Sequence, residues 1–289
     1  MATATIRFYE ELNRFLPEDA HKEPIAAPLI GNPSVKDVIE SHGVPHTEVD
    51  LVVVNGESVD FDYRVREGDR IAVYPVFESL DIAAAGRVRP EPLRRTRFVL
   101  DVHLGTLARL LRLLGFDARY RNDYDDPDIV EIAAAEGRIV LTRDRGLLMR
   151  RRVTHGYWLR SQNPVTQAAE VLRRFDLTDS VSPFSRCPRC NGELEAVSKE
   201  AVRDQLPLQT ARYYDEFHRC RSCGQVYWQG SHYKSIRSKI RRILDTATGG
   251  MDARSDEPMD ARSDEPMDAP ADEPANEPPN GSPGRSRRD

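Results

Sequence analysis

Apolar and polar positions along the chain change period several times, and each change marks an element. They alternate over Thr5-Ile6-Arg7-Phe8-Tyr9, the period of a half-buried strand. A second strand is expected near residues 23–29. Pro33-Ser34 then opens a stretch with Val35, Val38 and Ile39 on one helical face, and Ser34 is placed to cap it. Leu51-Val52-Val53-Val54 reads as a buried strand closed by the turn Asn55-Gly56. After Tyr63-Arg64-Val65, a second turn at Glu67-Gly68-Asp69 leads into a last strand over 70–75. Residues 83–95 read as a linker of small residues, arginine and proline. Beyond it, strands over 97–101, 116–120, 138–142 and 156–159 alternate with helices over 104–114, 127–136 and 164–175, with a short helix or turn at 147–152. Gly115 is expected to close the first of these helices. Such alternation predicts an α/β domain with a mostly parallel sheet and helices on both faces.

The first 75 residues, in the order β-β-α-β-β with these two turns, resemble the β-grasp, ubiquitin-like fold of small sulfur-carrier proteins. Sulfur carriage needs a free terminal Gly-Gly. Here the last strand runs on through Val76-Phe77-Glu78, and Gly249-Gly250 lies far downstream, so a binding or scaffold role is expected instead.

Charge sharpens the division. Residues 1–86 carry 7 Lys and Arg against 16 Asp and Glu, residues 87–245 carry 30 against 20, and residues 246–289 carry 5 against 11. A basic block between acidic ends fits contact with a polyanion, although a solvated Arg-rich surface would look the same. The tail repeats Met-Asp-Ala-Arg-Ser-Asp-Glu-Pro at 251 and 259 and has no aromatic residue, so it is expected to be a disordered acidic tail. No run of 18 apolar residues occurs, which argues against a membrane span. The four cysteines fall in two close pairs, which suits metal binding in a reducing, cytoplasmic setting better than disulfides.

Cys187-Pro188-Arg189-Cys190 and Cys220-Arg221-Ser222-Cys223 each place two thiolates on a tight turn, and together they make a candidate tetrahedral zinc site in a zinc ribbon. The 29 residues between the pairs require a hairpin or helical insert at 193–217. Four thiolates leave no open position, so the zinc is expected to be structural. Arg186, Arg189, Arg219 and Arg221 could contact phosphates, and Tyr227, Trp228, His232 and Tyr233 could stack on unpaired bases. Packing of a very small core is the alternative for the rings. The helix over 231–244 has Ile236, Ile240, Ile243 and Leu244 on one face. Docking that face on the ribbon would leave Lys234, Arg237, Lys239, Arg241 and Arg242 for RNA.

A second candidate centre is acidic. Asp101 ends the first strand of the α/β domain, and Asp144 follows the third. The loop Asn122-Asp123-Tyr124-Asp125-Asp126-Pro127-Asp128 reaches the same sheet edge, the edge at which open parallel sheets bind ligands. Carboxylates gathered there repel unless a cation lies among them, and a set without histidine favours Mg²⁺ or Mn²⁺ over zinc. Each has a plainer reading: Asp101 and Asp144 could cap turns, Asp126 could be an N-cap before Pro127 at N1, and Asp128 could serve the helix dipole. Arg143 and Arg145 could hold phosphates beside Asp144 or be ordinary surface arginines. His103 could move a proton, bind substrate, or be structural.

Phe98-Val99-Leu100-Asp101, the helical run from Leu107 to Phe116, Leu141-Thr142-Arg143-Asp144-Arg145-Gly146-Leu147-Leu148, the cysteine pairs and Tyr227-Trp228 through Gly230-Ser231-His232 together resemble the Mut7-C family of PIN-like ribonuclease domains. The acidic first segment resembles the ubiquitin-like domain that accompanies some of them. The resemblance implies a PIN-type fold, a metal-dependent nuclease site and RNA as substrate, with tRNA or ribosome-associated RNA among the candidates. It implies Asp101 and Asp144 as site acids and Asp126, or else Asp128, as the middle one. The expected organisation is a ubiquitin-like β-grasp domain over 1–82, a linker over 83–95, a PIN-like nuclease domain over 96–181, a zinc ribbon with basic helix over 182–245, and the tail over 246–289. A metal-dependent ribonuclease is the leading expectation. In it His103, Arg143, Arg145, His232, Lys234 and Arg237 would bind substrate, and the ubiquitin-like domain would recruit a protein partner or shield the site. The rival is a non-catalytic RNA- or ribosome-binding adaptor.

Overall fold

The computed structural model describes residues 2–75, 96–230 and 233–249. The expected linker over 83–95, nearly all of the acidic tail, and His232 lie outside the described residues.

The first unit runs β1 (Thr3–Phe8), β2 (Ile25–Pro28), α1 (Val35–Ser41), β3 (Val49–Val54), β4 (Glu57–Val59) and β5 (Arg70–Pro75). The sheet order is β2-β1-β5-β3-β4, with β1 and β5 parallel at its centre, which is the β-grasp arrangement read from the pattern. Alternation along β1 buries Ala4, Ile6 and Phe8 against Val35, Val38 and Ile39 of α1. Ser34 caps α1 as expected. Its hydroxyl accepts from the Asp37 N–H at 3.1 Å, and the Asp37 carboxylate accepts from the Ser34 N–H at 2.9 Å.

The second unit contains β6 (Arg97–Leu100), α2 (Gly105–Leu113), β7 (Asp117–Arg119), α3 (Asp126–Glu136), β8 (Ile139–Thr142), α4 (Arg145–Leu148), β9 (Gly156–Trp158) and α5 (Pro164–Arg174). All pairings are parallel, in the order β7-β6-β8-β9. Strand period sorts the core into two layers. Phe98, Leu100 and Leu141 face α2 and α5, while Val99 and Val140 face α3 and α4. The order reverses between β6 and β8, so their C-terminal ends flank the crevice such sheets offer to ligands. Gly115 closes α2 at φ +100°, where a Cβ would lie 2.3 Å from the Ser182 carbonyl.

The ribbon comprises β10 (Leu194–Val197), α6 (Lys199–Val202), α7 (Leu208–Tyr213), β11 (Phe217–Cys220) and β12 (Val226–Trp228), with antiparallel order β10-β11-β12. The insert between the cysteine pairs is therefore both strand and helix. The last helix, α8 (Tyr233–Thr248), departs from expectation. Its apolar face, Ile240, Ile243 and Ala247 with Ile236 and Leu244 beside them, packs on α5 and joins the α/β core rather than docking on the ribbon. The ribbon core holds only Val202, Phe217 and Val226 as fully buried apolar residues, too small a face to cover a four-turn stripe.

Both edges of the parallel sheet are covered. At β7, the Ala118 N–H donates to Asn191 Oδ1 at 3.0 Å. At β9, the Trp158 N–H donates to Glu48 Oε1 at 2.7 Å. Each unit beside the sheet thus supplies one polar side chain to a strand edge that would otherwise be open. Among the described residues no helix is long and apolar enough to cross a membrane.

Candidate metal centres and nucleic-acid interface

Asp101 follows β6 directly, and its backbone starts the turn Val102–Leu104. Its side chain does not cap that turn. Oδ2 instead accepts the Thr142 hydroxyl at 2.7 Å. The same Thr142 oxygen accepts the Asp144 N–H at 2.9 Å. Thr142 is fully buried at the end of β8, so one hydroxyl ties the first acid to the backbone of the third across the strand-order reversal. Sequence reasoning did not single it out. The available signal was a lone hydroxyl ending the apolar run Ile139-Val140-Leu141, where burial obliges it to find partners.

Asp144 realises its capping alternative with one oxygen, Oδ1 accepting the Gly146 N–H at 2.7 Å at the start of α4. At α3 the cap is one residue earlier than expected. Asp125 is the N-cap, its carboxylate accepts the Asp128 N–H at 2.9 Å, and Asp128 returns the bond at 3.4 Å. Asp125, Asp126 and Asp128 lie within four residues and compete to cap, and Pro127 tolerates N2 as well as N1 because neither position needs its N–H. Asp126 is thereby left out of the cap, half-exposed in the first turn with Arg150 at 3.6 Å.

The neighbours of Asp144 are held by Trp158 of β9 and by Phe15 of the β-grasp unit. Arg145 lies over the rings of Phe15 (4.9 Å) and Trp158 (4.7 Å) and donates to the Phe15 carbonyl at 3.3 Å. The Trp158 indole N–H donates to the Arg143 carbonyl at 3.0 Å, and the Arg143 side chain is exposed. His103 is exposed on the turn after Asp101.

Among the described residues, the four thiols form the group of at least three potential ligands whose donor atoms all lie within 4.8 Å of one another. Cys187 and Cys223 Sγ are 3.8 Å apart, and Cys190 and Cys220 Sγ are 3.4 Å apart. Tetrahedral zinc–sulfur bonds of about 2.3 Å put sulfurs about 3.8 Å apart, so the cage fits zinc. Burial and the neighbouring sulfurs push the Cys190 thiol up to about 12. Cys220 is also raised by burial, but the N–H groups of Cys223 and Ser222 outweigh this and hold it down to about 7. Ionising all four together requires a cation among them. Gly192 is needed at this turn, since a Cβ would lie 2.8 Å from Cys220 Sγ.

The ribbon is fastened to the sheet by Arg112, a buried side chain of α2 to which the sequence analysis gave no role. Its guanidinium donates to the carbonyls of Ala118 (2.8 Å), Pro188 (3.1 Å) and Arg189 (3.0 Å). Asp117 accepts Arg138 and Asn191, each at 2.7 Å. Burial raises its carboxyl, yet these bonds and the nearby arginines prevail and hold it below the usual carboxylate range.

Between ribbon and α8 lies a cavity of about 600 Å³ whose lining includes Phe184, Tyr213, Tyr214, Trp228 and Tyr233. A neighbouring cleft of about 480 Å³ brings Arg237 and Arg241 to the Phe184 and Tyr233 rings, which sit 5.0 Å apart. Lys234, Arg237, Arg241 and Arg242 are exposed along α8.

With this geometry in view, residues 96–240 match the family described as Mut7-C RNAse domain, and residues 1–81 match Mut7-C ubiquitin. The human protein named exonuclease mut-7 homolog is 26% identical over 251 residues, covering 60% of this chain; the chain spans 28% of that relative's length. A solved structure of H. volcanii small archaeal modifier protein 1 shares 16% identity, covering 26% of this chain and 98% of its own, with a TM-score of 0.21. One described as SAMP1 from Haloferax volcanii shares 14%, covering 27% and 99%, with a TM-score of 0.22.

Proposed function

Because this chain belongs to the Mut7-C RNAse family and carries the Mut7-C ubiquitin domain ahead of it, we propose that it is a ribonuclease dependent on Mg²⁺ or Mn²⁺. A nuclease-type function is a property of the family.

Asp101, Asp126 and Asp144 would hold the ion. The donor set is all hard oxygen, it lies at the ligand-binding edge of the sheet, and Mg²⁺ keeps most of its waters, so one or two direct carboxylates suffice without a tight cage. Bound there, the ion supplies a Lewis acid for a phosphate oxygen and a water of lowered pKa. Thr142 fixes the orientation of Asp101 and the backbone of Asp144. Asp126 is the better middle acid because Asp125 and Asp128 are engaged in the capping box. The single observation that carries the reading is the Thr142 hydroxyl joining the Asp101 carboxylate to the Asp144 backbone across the strand-order reversal.

We assign zinc a structural role in the cysteine cage. The exposed basic face of α8 and the ring-lined clefts beside it would receive single-stranded RNA, phosphates on Lys234 and Arg237 and bases against Tyr233 and Phe184. Arg145 contributes little to phosphate binding in this reading, since its guanidinium is held across two rings and donates to the Phe15 carbonyl. A protein partner would meet the acidic ubiquitin-like surface.

The test incubates the purified chain with mixed RNA and Mn²⁺ beside an Asp101→Asn/Asp144→Asn double variant. Cleavage by the parent and at least a hundredfold less by the variant is expected. Equal rates would leave the rival, a non-catalytic RNA-binding adaptor. The Arg150 ion pair and the Gly146 bond, which already engage Asp126 and Asp144, favour that rival.

A further inference from the structure

The β-grasp unit meets the nuclease domain at the segment carrying Asp144. Phe15 and Trp158 rings lie 5.2 Å apart, with Arg145 across both. Glu48, nearly fully buried, accepts the Trp158 backbone N–H, and His46 Nε2 lies 2.8 Å from the Val153 carbonyl. Trp158 belongs to both hydrophobic clusters, and its indole N–H reaches back to the Arg143 carbonyl. Arg145 is therefore gripped directly by Phe15, and Arg143 through Trp158, whose ring meets Phe15 and whose backbone meets Glu48. Asp144, between them, is itself half-free: one oxygen caps α4, and only its N–H reaches Thr142.

We propose that the ubiquitin-like domain is a built-in positioning element for the acidic site, with Phe15 and Trp158 setting Asp144 through Arg143 and Arg145. The proposal rests on the metal-dependent reading above. It accounts for two features that reading leaves over: a tryptophan donor aimed at the backbone beside Asp144, and an arginine held flat on rings from two domains. Positioning residues act on how tightly the ion is held, because a ligand loop free to sample other conformations binds metal less often in the right one.

The test uses the full chain and two variants. Trp158→Phe removes the donor to Arg143 and keeps a ring. Phe15→Leu removes the face under Arg145 and keeps an apolar filler. For each, Mn²⁺ binding is titrated by electron paramagnetic resonance of the free ion, and cleavage is measured across Mn²⁺ and RNA concentrations. Positioning predicts about a tenfold rise in half-saturating Mn²⁺ for both variants, recovery of rate at high Mn²⁺, and an unchanged KM for RNA. A raised KM with unaltered Mn²⁺ binding would mean Arg145 contacts RNA instead, and would overturn the proposal, as would no change in either. If the parent cleaves no better than Asp101→Asn/Asp144→Asn, the nuclease reading fails, while the Mn²⁺ titration still decides the positioning claim. Absence of specific Mn²⁺ binding in the parent sinks both.

Discussion

Thr142 donates its hydroxyl proton to Asp101 Oδ2 across 2.7 Å, from a position with no solvent exposure. That bond and the Asp144 N–H that the same oxygen accepts use the hydroxyl's proton and one of its lone pairs. Replacing it with an isosteric methyl leaves a half-buried carboxylate oxygen and a backbone donor without this partner. Thr142→Val should therefore cost about 1–3 kcal/mol of stability, read as a lower midpoint in urea unfolding. It should also cut RNA cleavage at least tenfold, whereas Thr142→Ser should keep most of both. Full activity in the valine variant would remove Thr142 from the site.

Why some of this was legible and some was not comes down to what a one-dimensional pattern encodes. Strand period and the turns after strands located Asp101 and Asp144, and the cysteine spacing declared its cage. The β-grasp order followed from two turns and one capped helix. Thr142 stayed hidden because a single hydroxyl in a buried strand has the same period as a valine. Arg112 gave no signal because two of its acceptors, the carbonyls of Pro188 and Arg189, lie more than seventy residues away. The stripe on α8 was plain, but a stripe does not name what covers it, and α5 rather than the ribbon does so. Glu48 and Phe15 act on another domain, which no local signal reports.

Zinc removal should unfold the ribbon and spare the sheet. Val202, Phe217 and Val226 are the ribbon's buried apolar residues, too small a core to offset the chain entropy lost on ordering it. Zinc binding to the four thiolates therefore acts as folding free energy for this unit. The chain should carry one zinc. Chelation, or Cys220→Ser, should abolish hydrogen-exchange protection in β10, β11 and β12 while β6 and β8 keep theirs. Persistent protection of the ribbon without zinc would contradict the structural role.

Glu48 gives a pH dependence with an unusual sign. Burial pushes its carboxyl above the usual range, more than the Arg174 charge, the Trp158 N–H and the Arg160 charge draw it down. A raised folded-state value means that the proton is held more tightly in the folded chain. The contribution to stability is then fully present below the unfolded value near 4.5 and is lost as pH rises through the folded value. Glu48→Gln keeps an acceptor for Trp158 without the buried charge. It should be more stable than the parent at pH 7, with the gap closing as pH falls towards 4.5. Thermal midpoints of both proteins across that range check it, and a gap that widens on acidification would show that the arginines prevail.

The basic face of α8 makes a claim about salt as well as affinity. Lys234, Arg237 and Arg241 follow one another at spacings of three and four, so they share one side of the helix, and all three are exposed. If that side carries RNA phosphates, each contact releases condensed counterions, and the logarithm of the binding constant falls with the logarithm of salt by about 0.7 per contact on a single strand. Lys234→Ala/Arg237→Ala should then flatten the slope by about 1.4 and weaken binding most at low salt. Ring removal should behave differently. Tyr213→Ala, at an exposed position lining the larger cavity, should weaken binding by about 1–3 kcal/mol with the slope unchanged, because stacking releases no ions. Fluorescence anisotropy of a labelled oligonucleotide between 50 and about 300 mM salt separates the two signatures. Parallel salt lines for the parent and the charge variant would place the RNA elsewhere on the molecule.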